Sequence, residues 1–194
     1  MEGVGTYYYY NGDSYEGNFC GDIRQGEGSY HFMNGDKFTG EWVDGQKSGK
    51  GVFEFVNGDM FEGNWVTDKR EGKGVIKYKD GSLYEGEFAN DCIEGDGVLS
   101  YFNGKKYIGE FKNNLIQGMG ILYDEQGEPK YDGEWAEGKM QGEGIYYMRN
   151  GDTYVGKFEK DQKHGQGILY NKDGTKKYEG AVSENKLHGQ GIYY

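Results

Sequence analysis

Apolar and polar positions alternate along this chain in short runs, and the runs come in pairs. In Gly26 to Ser48, GEGSYHFMNGDKFTGEWVDGQKS, one run carries Tyr30 and Phe32, the next carries Phe38 and Trp42, and Asn34-Gly35 lies between them. Period-two alternation marks strands. Asn-Gly between aromatic runs is the strongest local hairpin signal, because a type I′ turn needs φ > 0 at both central residues. Aromatics suit a pleated strand, and paired glycines work against a helix. The stretch predicts one β-hairpin that leaves by a polar six-residue loop.

The rest of the chain is this stretch again. Turn pairs at Asn11-Gly12, Asn34-Gly35, Asn57-Gly58, Asp80-Gly81, Asn103-Gly104, Gln126-Gly127, Asn150-Gly151 and Asp173-Gly174 recur every 23 residues, once 24. Fixed self-similarity at this period signals a repeat architecture. The reading is therefore all-β: an elongated, twisted single antiparallel sheet of stacked hairpins, solenoid-like, forming one domain over 1–194. The hairpins are 3–25, 26–48, 49–71, 72–94, 95–117, 118–141, 142–164 and 165–188, with a final unpaired strand 189–194. At about 4.8 Å per strand, seventeen strands give a ribbon roughly 80 Å long. Two units are one residue longer just after the turn, at Gly127-Glu128-Pro129-Lys130 and Gly174-Thr175-Lys176-Lys177, which predicts a longer loop or a bulge there. Pro129, the only proline, falls where a strand tolerates it.

The motif Tyr-x-Gly-x-Phe/Trp, then a polar loop, Gly-x-Gly and Asn-Gly-Asp, resembles the MORN repeat (membrane occupation and recognition nexus) over essentially the whole chain. His164-Gly165-Gln166-Gly167 and His188-Gly189-Gln190-Gly191 match the His-Gly-x-Gly often seen in that family. The same slot elsewhere holds Gln25, Ser48, Glu71, Glu94, Gln117 or Gln141. The resemblance implies stacked hairpins with an aromatic-lined groove. It also implies a scaffold or targeting role, commonly at cytoskeletal, ciliary or membrane-associated structures.

Composition narrows the partners. With 35% hydrophobic residues there is too little for a thick core, but enough for a thin sheet whose aromatics pack unit on unit. A net charge of −11 argues against nucleic acid, and it disfavours contact with anionic membrane lipid. Two cysteines, Cys20 and Cys92, lie three repeats apart and out of disulfide reach, which suggests a reducing, cytoplasmic setting. No signal peptide, membrane-length apolar run or lipidation motif is read from the sequence.

Enzyme chemistry finds no place. Gly133 through Gly138-Lys139 imitates a phosphate-binding loop, but Met140 stands where a magnesium-holding Ser or Thr belongs, and no helix follows. His31, His164 and His188 make no ligand cluster, and the 33 carboxylates recur at repeated positions, whereas a catalytic pair breaks the period. No catalytic residue, cofactor or metal is assigned.

A single-layer sheet leaves aromatics on an open surface, and such rings are the usual anchors of protein interfaces. The candidate protein-binding residues are Tyr30, Phe32, Phe53, Phe55, Tyr78, Tyr101, Tyr146 and Tyr147. Ile93, Ile116 and Met140 join them: they stand at a loop position that holds Arg24, Lys47, Arg70, Lys163 and Leu187 in other units, and they predict an apolar strip at the loop edge. The C-terminal stretch, with Ile192, Tyr193 and Tyr194, predicts an open strand edge that either continues into further repeats or pairs with a second copy as a homodimer. The expected partner is an extended or helical protein segment. The alternative is a membrane- or phospholipid-associated module that brings an attached or recruited enzyme to its target.

Overall fold

The computed structural model describes residues 1–194, and every regular element is a β-strand. Contacts divide the chain into two units, Met1–Phe102 and Asn103–Tyr194. The first holds β1 (Gly3–Tyr8), β2 (Ser14–Cys20), β3 (Ile23–His31), β4 (Lys37–Val43), β5 (Gln46–Glu54), β6 (Met60–Val66), β7 (Lys69–Lys77), β8 (Leu83–Ala89) and β9 (Cys92–Ser100). The second holds β10 (Lys106–Lys112), β11 (Leu115–Tyr123), β12 (Pro129–Ala136), β13 (Lys139–Tyr147), β14 (Thr153–Glu159), β15 (Gln162–Tyr170), β16 (Lys176–Ser183) and β17 (Lys186–Tyr193). Within each unit every strand pairs antiparallel with its neighbours in sequence.

The tight turns are not at Asn-Gly. β1 and β2 are joined by Tyr9–Asp13, where Gly12 N–H donates to the Tyr9 carbonyl at 3.1 Å and only Gly12 has positive φ. That is a type I turn closed by a left-handed glycine. Two-residue turns with both φ positive lie instead inside the expected six-residue loops, as at Thr67-Asp68 (46°, 68°) and Asn90-Asp91 (48°, 70°). Most of each loop is therefore strand. The extra residue of the longer units is absorbed as a bulge: Leu122 faces Tyr131 while Tyr123 faces Pro129, leaving Lys130 over, and Lys177 is left over in the same way.

The motif residues bond one repeat to the next. In Asn34-Gly35-Asp36 the Asn34 side chain accepts from the Asp36 N–H (3.0 Å) and donates to the Asp36 carboxylate (2.8 Å). The other Asp36 oxygen accepts the Val56 N–H of the next loop at 2.8 Å. At the opposite edge, Asp68 accepts the Lys47 N–H and Asp91 the Arg70 N–H, at 3.0 and 2.9 Å. The slot read as His-Gly-x-Gly does similar work: Gln25, Glu71, Gln117 and Gln141 accept backbone N–H groups of the following turn.

A row of glycines crosses each unit. Gly17 faces Gly28, Gly28 faces Gly40, and Gly40 faces Gly51; in the second unit Gly109 faces Gly120 and Gly120 faces Gly133. Over this bare backbone lie the rings of Tyr15, Phe38, Phe61 and Tyr84, and of Tyr107, Tyr131, Tyr154 and Tyr178, almost wholly buried. Where the ring is Tyr its hydroxyl donates to a carbonyl three residues on, as Tyr15 to Asn18 (3.1 Å) and Tyr131 to Glu134 (2.9 Å). The first glycine of Gly-x-Gly has another task. Gly26 sits at φ +71° in a bulge opposite Asn18, whose side chain donates to the Glu27 carbonyl at 3.1 Å.

Candidate functional site

The buried rings and the Phe19, Trp42, Trp65 and Phe88 rings share one face of the first unit, with Tyr–Trp and Phe–Trp centroids 5.2–5.5 Å apart in edge-on pairs. A second chain of rings runs beside them toward the five-residue loops. Tyr7, Tyr9, Tyr30, Phe32, Phe53 and Phe55 follow one another at 4.8, 5.5, 4.6, 5.6 and 4.5 Å. Tyr30 and Phe53 are its buried members, while Phe32 and Phe55 are half-buried at the loop entrance, as are Tyr78 and Tyr101. In the second unit Tyr146 packs 6.4 Å from Phe158 on the same kind of face, and the alternation of β13 puts Tyr147 on the opposite one.

Tyr9 was missing from the sequence-derived set, although it stands one period before Phe32 and is signalled by that spacing. So was the next position, the loop tip. Tyr10, Met33, Val56 and Phe102 occupy it at 109, 76, 67 and 70% exposure, with Lys79 in the one place between Val56 and Phe102. Met33, Val56 and Phe102 each have the side chain within 4 Å of where a Cβ on the preceding loop's glycine (Gly12, Gly35, Gly81) would stand. The tip thus presents an apolar side chain to solvent while resting on its neighbour. In the second unit Asp124, Met148 and Asn171 take the loop-entrance position, and the aromatic row stops.

The basic residues expected at a loop edge lie on the aromatic face instead, directly across from the Phe or Trp of the preceding strand: Phe19 faces Arg24, Trp42 faces Lys47, Trp65 faces Arg70. The Arg24 guanidinium sits 4.3 Å from the Trp42 centroid and 5.0 Å from that of Tyr30, and Lys47 Nζ sits 4.6 Å from that of Trp65. Burial lowers the Lys47 and Lys163 ammonium pKa values. These cations close the face by cation–π contact and tie to the next turn, Arg24 to the Gly45 carbonyl and Arg70 to Asp91. Ile93, Ile116 and Met140 occupy the same register opposite Phe88, Phe111 and Trp135; Ile93 is buried, and the other two are half-buried. Ile192, Tyr193 and Tyr194 are exposed, with the Tyr193 ring 5.0 Å from that of Tyr178.

Acid–base groups on this face are structural. The Asp13 carboxylate accepts the Tyr30 hydroxyl (2.6 Å), the Met33 N–H (2.8 Å) and the Asn11 amide (2.8 Å). The Tyr30 hydrogen bond first, then that of Met33, holds its pKa below the ordinary value, while burial foremost raises that of Tyr30. Burial likewise pushes the Tyr154 phenol up to about 12. A carboxyl depressed in the fold stabilises it above the unfolded value near 4, and that contribution is lost as pH falls through the folded value. Thermal melts from pH 7 down to about pH 2.5 are expected to fall less steeply for Asp13→Asn than for the parent chain; equal slopes would remove Asp13 as a contributor. No group of three or more His, Cys, Asp or Glu side chains is placed to hold a metal ion, and no helix is long and apolar enough to cross a membrane.

Comparison with known proteins finds the MORN repeat family model matching residues 1–14, 15–37, 38–60, 61–83, 84–106, 107–128, 131–153, 154–176 and 178–194. A search of curated proteins returns no match. Among solved structures, the chain is similar to the SAS-4 (dCPAP) TCP domain of Drosophila melanogaster in complex with a proline-rich motif of Ana2 (dSTIL). That alignment has 14% identity and a TM-score of 0.46, covering 90% of this chain and 87% of that one. The TCP10c domain of Drosophila melanogaster Sas-4 aligns at 18% identity and a TM-score of 0.42, covering 78% and 90%. The wild-type TCP10 domain of Danio rerio CPAP aligns at 13% and 0.31, covering 92% and 86%.

Proposed function

This chain belongs to the MORN-repeat family, and from that premise we propose that it is a non-catalytic scaffold that holds a protein partner against the loop edge of its first unit. One observation carries the reading: the exposed tips Tyr10, Met33, Val56 and Phe102 stand beside the aromatic row of Tyr9, Phe32, Phe55, Tyr78 and Tyr101. Exposed apolar side chains gathered on one edge mark interaction sites, and rings already packed on each other lose little freedom when a partner covers them. Tyr10, Met33 and Val56 are two strands apart, roughly 10 Å, and Phe102 follows beyond Lys79 at twice that step. The single step matches the rise of about seven residues of α-helix, so a helical segment with apolar residues at heptad spacing suits the edge best. The cytoskeletal or ciliary placement implied by the family is part of this proposal.

The test compares the parent chain with Met33→Ser/Val56→Ser/Phe102→Ser in affinity capture and in vesicle co-sedimentation at physiological salt, with and without phosphoinositides. Because the tips are exposed, melting should move by about 2 °C or less, while the captured partner is lost. Vesicle binding that depends on phosphoinositide, or protein capture indifferent to the triple substitution, overturns the reading.

A further inference from the structure

The face of the second unit that points away from the buried rings is apolar where the fold does not require it. In β11, β13 and β15 the residue after the central glycine and the one two further on are Ile121 and Tyr123, Ile145 and Tyr147, Ile168 and Tyr170. The residue between them, Leu122, Tyr146 or Leu169, pairs with the Tyr131, Tyr154 or Tyr178 row, so strand alternation turns the Ile and Tyr the other way. Val155 lies between Ile145 and Ile168 in register and is 36% exposed, and Ile192 continues the line at 60%. The first unit puts Ser29 and His31, Val52 and Glu54, Val75 and Lys77 at the same places. An otherwise equivalent set of hairpins thus folds with a polar residue in place of each Tyr, and with Ser or the smaller Val in place of each Ile, as Val98 and Ser100 of β9 also do.

Charge borders this stripe unevenly. Along one side stand the exposed carboxylates of Glu110, Glu134 and Glu143, with one cation, the exposed Lys157, in register with Glu143. Two of them are fixed in place, Glu110 by the Met119 N–H (3.1 Å) and Glu134 by the Glu143 N–H (3.0 Å). Within the stripe Asp132 interrupts the aliphatic line, and Glu179 pairs with Lys176 (2.7 Å) and accepts the Tyr194 hydroxyl (3.0 Å). On the other side Lys106 and Lys176 lie over the Tyr123 and Tyr194 rings at 5.2 and 5.6 Å. The aliphatic pairs of alternate strands are roughly 10 Å apart, again the rise of about seven helical residues. We infer that this face is a second docking surface, whose occupant is an amphipathic protein helix with bulky aliphatic residues in its stripe and Lys or Arg along the flank that meets the glutamates. An anionic membrane does not suit it, because the fixed carboxylates repel such a surface.

The probe is a synthetic amphipathic peptide of about 20 residues, with Leu at heptad spacing and Lys on one flank, and a twin carrying Glu on that flank. Binding to the full chain is read by fluorescence anisotropy, and self-association by sedimentation. The Lys-flanked peptide is expected to bind at least tenfold tighter than its twin, and Ile145→Thr/Ile168→Thr to weaken it at least tenfold. Glu143→Lys, on an exposed rim, is expected to shift the preference toward the Glu-flanked twin about threefold, a readout that loss of stability does not imitate. Equal binding of the two peptides, binding untouched by either variant, capture by anionic vesicles, or dimerisation that Ile145→Thr/Ile168→Thr abolishes would each overturn the assignment.

Discussion

Replacing Gly28 with alanine is expected to cost about 3 kcal/mol or more, although it adds one methyl group to a protein with 37 glycines. A Cβ at Gly28 would overlap the Tyr15 hydroxyl and Cζ and stand 2.5 Å from its Cε2. The Tyr15 ring has nowhere to go: it is fully buried, held edge-on by Phe19 and Trp42 at 5.0 and 5.3 Å, and tied by its hydroxyl to Asn18. The Gly28 carbonyl also accepts the Trp42 indole N–H at 3.1 Å, so a displaced backbone loses that bond too. Chemical denaturation should show the loss, while the neighbouring exposed Glu27→Ala stays within about 0.5 kcal/mol. In a double-mutant cycle with Tyr15→Ala, the pair should cost clearly less than the sum, because the second change removes what the first collides with. Strict additivity would mean that the ring does not depend on the bare glycine.

Trp65→Ala is the second large effect, about 3–5 kcal/mol by the usual cost of emptying a buried aromatic site. Trp65 is 3% exposed, with ring centroids of Phe38, Phe53 and Phe61 at 5.2, 5.9 and 5.5 Å and the Lys47 ammonium over its face. Its indole N–H has no hydrogen-bond partner, unlike those of Trp42 and Trp135, which donate to Gly28 and Gly120. Trp65→Phe, which removes that buried donor, should therefore be milder than its loss of volume alone suggests. Repeats contact only their neighbours, so hydrogen exchange after Trp65→Ala should speed up mainly between about residues 49 and 94. Equal acceleration throughout Met1–Phe102 would show a single cooperative core instead.

The period and the strand class were legible because aromatics, glycines and turn residues recur at fixed offsets, and each recurrence reports the same backbone geometry. The turn type was not. Asn-Gly suits a type I′ turn, but here Asn34 bonds to Asp36, and the aspartate then reaches the next loop, so the pair serves a longer turn that links repeats. Thr67-Asp68 and Lys160-Asp161 gave little local sign of left-handed backbone; the tight link between paired strands imposes it. The row of Arg24, Lys47, Arg70, Ile93, Ile116 and Met140 was misplaced for a related reason. Charge suggested an edge, whereas long basic side chains lie flat on rings and keep only their ends in water. The aromatic candidates were found by period alone, which does not separate the buried Tyr30 and Phe53 from the half-buried Phe32 and Phe55.

The docking claim is tested most directly by a photo-crosslinking residue, p-benzoylphenylalanine, placed singly at Val56 on the loop edge or at Glu62 on the face turned away from the buried rings, both exposed. With the full chain expressed in cells, Val56 is predicted to give a discrete protein adduct that Glu62 does not give, and the adduct should vanish when Met33 and Phe102 are changed to serine. Adducts of equal yield from both positions, or crosslinking from Val56 to lipid alone, would contradict it.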